Sequence, residues 1–193
     1  MGKKPESNFV NMLVRLLVIV SVAGLALGVV YTQTFDVIAA AKQRKLEAAI
    51  GNVVPEFDTL RTIKVMPATG KDSITFFKAY SGDQLVGTAV ETYTDKGFSG
   101  RFKLMIGFDP NGIILNTAVL EHKETPGLGD KMDIAKSDFS VQFKGKDPET
   151  FKIVVKKDGG DVDAITAATI SSRAFCDATQ RAYDALKSEG GKK

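Results

Sequence analysis

The sequence predicts an α+β fold: an apolar helix long enough to cross a membrane, then an antiparallel sheet with helices before and after it. Three observations carry this. Met12 to Tyr31 is a run of 20 residues in which Arg15 is the only charge. Two pairs of strand-like runs each surround a compact turn. SITFFKAY and QLVGTAVETY flank Ser81-Gly82-Asp83, and RFKLMIGF and IILNTAVLEH flank Asp109-Pro110-Asn111-Gly112. Finally Ile170, Ala174, Ala178, Ala182 and Leu186 recur every four residues with Phe175 beside them, predicting a closing helix from about Thr169 to Ser188.

In chain order, residues 1–11 form a cytoplasmic N-terminus and residues 12–31 a transmembrane helix. At about 1.5 Å per residue that helix reaches roughly 30 Å, the thickness of a bilayer's hydrocarbon core. Arg15 can snorkel to the near interface, and Gly24 and Gly28 offer a small-residue face. A cleaved signal peptide competes, with Ala39, Ala40 and Ala41 as an A-x-A site. The apolar run exceeds a usual signal core and the alanines lie far past its end, which favours a retained anchor. Lys3 and Lys4 argue for an inside N-terminus, an argument blunted by Lys42, Arg44 and Lys45 on the other side.

Residues 32–58 read as a juxtamembrane helix and linker, with Ile38, Ala41, Ala49, Ile50 and Val53 at helical spacing and a stop before Pro55. A folded domain follows over residues 59–190. Within it Thr59 to Asp72 shows no clear pattern, the two hairpins come next, and Lys123 to Asp130 is a loop containing Pro126, Gly127 and Gly129. FSVQF and TFKIVVKK are predicted as further strands split by the turn-rich GKDPE. Gly190 and Gly191 end the last helix, leaving 191–193 as a tail.

Composition narrows the function. At 193 residues there is room for one globular domain plus an extension, and 26 basic against 23 acidic residues are interspersed without a basic, aromatic-rich stripe. Nucleic acid is thus a poor candidate partner. The single cysteine, Cys176, excludes an internal disulfide or a thiolate cluster, and the single histidine, His122, a His-rich metal site. Core packing is the expected role of Cys176.

Chemistry concentrates in DAITAATISS, residues 163–172. Thr166, Thr169 and Ser171 place hydroxyls among small residues at the mouth of the predicted helix. Such a mouth carries unpaired N–H groups and the positive end of the helix dipole, so a phosphate can be held there. A simple helix cap by Thr166 or Thr169, worth about 1 kcal/mol, uses the same residues. Residue chemistry leaves both open.

The order Asp163, Thr166, Ala167, Ala168, Thr169, Ser171 resembles the D-x-x-[ST]-G-A-T-x-[ST] motif of the FMN-binding domain family. That resemblance implies an FMN joined through its phosphate, as a phosphoester, to the Thr169 hydroxyl, with Asp163, Thr166, Ala168 and Ser171 completing the motif. One departure is visible: Ala167 stands where the family has glycine, a costly change if the backbone there needs a positive φ. EHKETPGLGDKM, residues 121–132, is similar to a segment shared by the G subunits of Rnf electron-transport complexes and the C subunits of sodium-pumping NADH–quinone reductases. The likeness implies that Glu124, Thr125, Leu128 and Gly129 line the flavin ring. GFSG, residues 97–100, resembles the family's glycine–aromatic turn before the second hairpin.

The short chain favours the Rnf branch. Its members imply a single-pass protein of the bacterial cytoplasmic membrane with the FMN domain on the periplasmic or outer side. The implied role is to relay electrons within a ferredoxin:NAD+ oxidoreductase coupled to Na+ or H+ translocation, beside the other membrane subunits of the complex and after maturation by a flavin transferase. His122 could stabilise reduced flavin if protonated, or be a polar surface residue. Two rival readings remain: a tethered assembly or binding module without cofactor, and a flavin-bearing regulator or reductase outside any complex.

Overall fold

The structure, a computed structural model, describes residues 8–190. Lys3 and Lys4 of the expected N-terminus, and Gly191 with the rest of the tail, lie outside the described residues. The chain forms two compact units, one up to Arg44 and one from Lys45 onward.

Helix α1, Phe9–Val53, carries the first unit. Its most apolar 18-residue window has a mean hydropathy of 2.6 and none of it is buried, so length and composition suffice to cross a bilayer. Thr32 and Thr34, the polar residues past the apolar run, return their hydroxyls to the Val29 and Val30 carbonyls at 2.9 and 2.8 Å. Bonding of this kind hides a hydroxyl on the helix itself. Helical structure thus extends through the stretch expected to be a juxtamembrane helix, and it stops at Val53, two residues before Pro55.

The second unit is built on an antiparallel meander in the order β1-β2-β3-β4-β5. The strands are β1 Thr59–Val65, β2 Ile74–Ser81, β3 Gln84–Gly97, β4 Gly100–Phe108 and β5 Ile114–Glu121. Both expected hairpins form. Gly82 takes a φ of 59° in the first turn, and in the second the Asp109 carboxylate accepts from the Asn111 and Ile113 N–H groups.

Side chains alternate between the two faces of a strand, and here both faces are buried. Phe76, Val90, Phe102, Leu104 and Ile106 face helix α2, Thr169–Gly190, through Ala174, Phe175, Ala178 and Ala182. Phe77, Ala79, Ala89 and Met105 face the other way, onto Ala49, Ile50 and Val53 of the last turns of α1. Gly107 permits that second contact, because a Cβ there would collide with the Val53 carbonyl. Ile38 and Ala41, expected on the same apolar face, are exposed.

Three expectations need correction. The unpatterned stretch after Pro55 contains a strand, β1, which pairs along its whole length with β2. It leaves no pattern in the sequence because β1 is an edge strand exposed on most positions. FSVQF is not a strand but the body of a 3-10 turn, Asp138–Phe143, opened by Ser137, whose side chain accepts from the Phe139 N–H. The buried residues are Phe139, Ser140 and Phe143, with Val141 exposed, so helical spacing outweighs apparent alternation. TFKIVVKK buries Ile153 and Val155 in alternation but pairs only through one bridge, Val155 to Val162. Gly159, at a φ of 87°, turns the chain back before a ladder can grow.

Helix α2 is fixed to the sheet by packing and by one buried cation. Phe175 meets Phe139 edge-on at 5.3 Å and Phe143 at 5.0 Å between ring centroids. Arg181 donates to the Thr69 carbonyl at 2.8 Å, to the Tyr93 carbonyl, and to Asp177 at 2.9 Å. Asp177 in turn accepts from the Thr94 hydroxyl at 2.8 Å and pairs with Lys96. Burial pushes the Asp177 carboxyl up, but Lys96, Thr94 and Arg181 more than offset it, and its pKa falls below the ordinary carboxylate value. Cys176 is buried beside it, and burial pushes its thiol up to about 12.

A depressed native pKa means that Asp177 stabilises the fold above its unfolded pKa, and that this contribution is lost as pH falls through the native value. Asp177→Asn should therefore cost about 2 kcal/mol at neutral pH, and its melting temperature should fall less steeply than that of the wild type between about pH 5 and pH 3. Thermal melts across that range check both; parallel curves would remove Asp177 from the acid response.

Candidate functional site

The two chemically suggestive segments meet. A cavity of about 290 Å³ is lined by Phe98, Glu124, Thr125, Leu128, Gly129 and the run Ala167 to Ser171. Three pieces of chain build it: the β3–β4 turn, the loop after β5, and the entrance of α2.

The entrance is a four-residue turn, Ile165 to Ala168, closed by the Ala168 N–H on the Ile165 carbonyl at 3.0 Å. Ala167 is its third residue and has a φ of 61°, the one positive value outside glycine among the described residues. A type II turn requires such a φ at that position, which is why glycine suits it. The methyl of alanine costs about 1–2 kcal/mol there. Ser172, last residue of the DAITAATISS stretch and outside the motif, holds the turn. Its hydroxyl accepts from the Ile165 N–H at 2.9 Å and donates to the Ala168 carbonyl at 3.0 Å. Helix bonding begins with the Ser172 N–H on the Ala168 carbonyl, so the N–H groups of Thr169, Ile170 and Ser171 precede the ladder. Thr169 is the first helical residue, half-buried, on the cavity wall.

Glu124 joins all three pieces. It is 5% exposed, and one carboxylate oxygen accepts from the Ser99 N–H at 3.0 Å while the other accepts from the Ser171 hydroxyl at 2.6 Å. Gly129 lies against that pair; a Cβ on it would come within 2.5 Å of the Glu124 oxygen and 2.6 Å of the Ser171 oxygen. Next along the chain, Asp130 is 8% exposed and its Oδ1 has no hydrogen-bond partner.

Of the nine residues that the sequence points to, seven converge here: Glu124, Thr125, Leu128, Gly129, Ala168, Thr169 and Ser171. Asp163 and Thr166 do not. Both are exposed and line a separate cavity with Gln142 and Lys131, where Asp163 pairs with Lys156 at 2.7 Å. The turn at Ala167 separates the two sides. His122 follows β5, half-buried with its Nδ1 unpartnered, and does not line the first cavity. Two wall residues escape the motif reading. Phe98, 68% exposed, is signalled only by the GFSG turn; Ile170, 48% exposed, has core-like spacing yet faces the cavity.

Phe98, Leu128 and Ile170 give apolar walls suited to a flat aromatic ring. Thr169 and the free N–H groups at the helix entrance suit a phosphate. The lining therefore fits FMN, which carries both a flat ring and a phosphate.

Comparison with known proteins agrees with that chemistry. Residues 97–184 match the family described as the FMN-binding domain, a span that includes every residue of the cavity. A Shewanella oneidensis protein, named as the G subunit of the ion-translocating oxidoreductase complex, is 35% identical over 165 residues, covering 80% of this chain and 78% of that one. Proteins of the same name from Salmonella typhi and Escherichia coli K12 are 44% and 42% identical over 119 residues, 60% of this chain and 58% of theirs. The chain belongs to the family of the G subunits of ion-translocating oxidoreductase complexes.

Ala167→Gly should relieve the turn and, after the larger entropy of an unfolded glycine, raise stability by roughly 0.5–1 kcal/mol. Chemical denaturation of the two proteins measures this. A midpoint at or below that of the wild type would mean the turn does not strain alanine.

Proposed function

We propose that this protein is a membrane-anchored electron-relay subunit carrying FMN as a phosphoester on Thr169. The observation that carries the reading is the convergence of both motif segments on one cavity, with Thr169 in its wall. FMN, when bound, supplies transfer of one or two electrons, so it can couple donors of different stoichiometry.

The chain's own residues orient and retain the group. No hydrogen bond engages the Thr169 hydroxyl among the described residues, which leaves the oxygen available for a phosphoester. The N–H groups at the start of the helix would place a partial positive charge next to the phosphate. Leu128, Ile170 and the exposed Phe98 line the same cavity and would offer apolar surface to the ring. Ala167 keeps the backbone angle that glycine would have. The departure that favours a module without cofactor thus leaves the loop geometry of the motif in place.

Anchorage through α1, with the domain on the periplasmic or outer side, accounts for a covalent link, because a dissociated flavin there would be lost by dilution. The partners are the other membrane subunits of an Rnf-type complex, in which electrons pass between ferredoxin and NAD+ as Na+ or H+ crosses the membrane. A flavin transferase completes the site. The exposed position of Asp163 and Thr166, away from the cavity, suits recognition during that maturation.

Thr169→Val should abolish flavin fluorescence in the denatured gel band, with circular dichroism unchanged, while Thr166→Val should lower occupancy only in part. Mass spectrometry of the peptide spanning residues 158–173 locates the adduct. Full flavinylation of Thr169→Val would place the link elsewhere.

A further inference from the structure

Among the described residues, the cavity wall contains a buried carboxyl group, that of Glu124, and no basic residue. Glu124 lines the cavity, and Asp130, the residue after Gly129, is buried just outside that lining; neither makes an ion pair with a basic residue among the described residues. Both Glu124 oxygens lie in hydrogen bonds, one accepting from the Ser99 N–H and the other from the Ser171 hydroxyl, an arrangement that suits the acceptor-only oxygens of a carboxylate. Those neutral donors stabilise the charge locally without cancelling it, and in a low-dielectric setting its field reaches well beyond contact distance.

We propose that Glu124, supported by Asp130, is a positioning residue that holds down the reduction potential of the bound flavin. The inference rests on the reading of this cavity as the flavin site. Reduction adds two electrons to the ring, and in a titration dithionite supplies them while water supplies protons. Whenever fewer protons than electrons arrive, the ring gains negative charge, and the fixed carboxylate opposes it. The same field leaves the oxidised, neutral ring almost untouched. A relay built this way is a strong reductant toward its acceptor.

Glu124→Gln isolates the charge. Its amide oxygen can accept from the Ser99 N–H and its amide nitrogen can donate to a rotated Ser171 hydroxyl, so the clasp persists without the charge. Glu124→Asp does the reverse: it keeps the charge and shortens the reach. The full-length protein, co-produced with a flavin transferase and purified in detergent, is titrated with dithionite against a reference dye. Glu124→Gln should shift the reduction equilibrium toward reduced flavin on the order of tenfold, equivalent to about 30 mV for a two-electron couple. Glu124→Asp should lose thermal stability yet stay close to the wild-type potential. Asp130→Asn should shift it in the same direction as Glu124→Gln, and it decides the matter if the latter does not fold. An unchanged potential in the carboxamide variants, or equal shifts in Glu124→Gln and Glu124→Asp, overturns the proposal while leaving the flavin site standing. A wild-type protein that carries no flavin overturns both.

Discussion

The hydrogen bond from the Ser171 hydroxyl to Glu124 is the contact on which the site depends. It links the first turn of α2 to the loop after β5, and the second Glu124 oxygen extends the link to the β3–β4 turn through Ser99. These segments are distant in sequence, 47 residues separating Glu124 from Ser171 and 25 separating it from Ser99. None of them forms a cavity alone. A buried carboxylate is costly unless its lone pairs are filled, so the sequence that places Glu124 inside must also supply both donors. Burying the acid therefore selects one arrangement of three loops, and Gly129 is small enough to let the loop of Glu124 fold back beside the pair.

The scaffold behind that clasp is stiff. Alanines at positions 174, 178, 182 and 185 bring α2 close to the sheet, and Arg181 donates from each of its three nitrogens, to two backbone carbonyls and to Asp177. Aromatic rings from the 138–143 turn pack on Phe175. The start of α2 is thus held from below by packing and from behind by Ser172, which leaves Thr169 little freedom except at its hydroxyl. A group attached there inherits a defined direction.

Much of this is legible in the sequence, for identifiable reasons. Both hairpins announce themselves through turn residues whose backbone angles few others adopt, such as Gly82 and Gly112. The last helix shows in its four-residue spacing. β1 does not show, because an edge strand with one buried residue carries no alternation to detect. FSVQF alternates polar and apolar residues, yet two phenylalanines four apart serve a helical turn equally well, and Ser137 decides between them. At the site, the motif residues are readable, but their division between two cavities depends on the turn at Ala167. That turn, together with the bonds of Asp163 to Gln142 and Lys156, leaves Asp163 and Thr166 on the other cavity from Thr169. Phe98 and Ile170 are obscured by a common assumption: an apolar residue at a core-like spacing is usually core.

The last turns of α1 carry a practical lesson for anyone wishing to work with the domain in water. Ala49, Ile50 and Val53 cover Phe77, Ala79, Ala89 and Met105, so the sheet's second face is finished by residues that precede Pro55. Truncation at the first strand would strip that cover and leave a sticky sheet, whereas a cut near Lys45, where the compact unit begins, keeps it. The natural place to sever tether from domain lies within a helix, where linker-seeking intuition would not look.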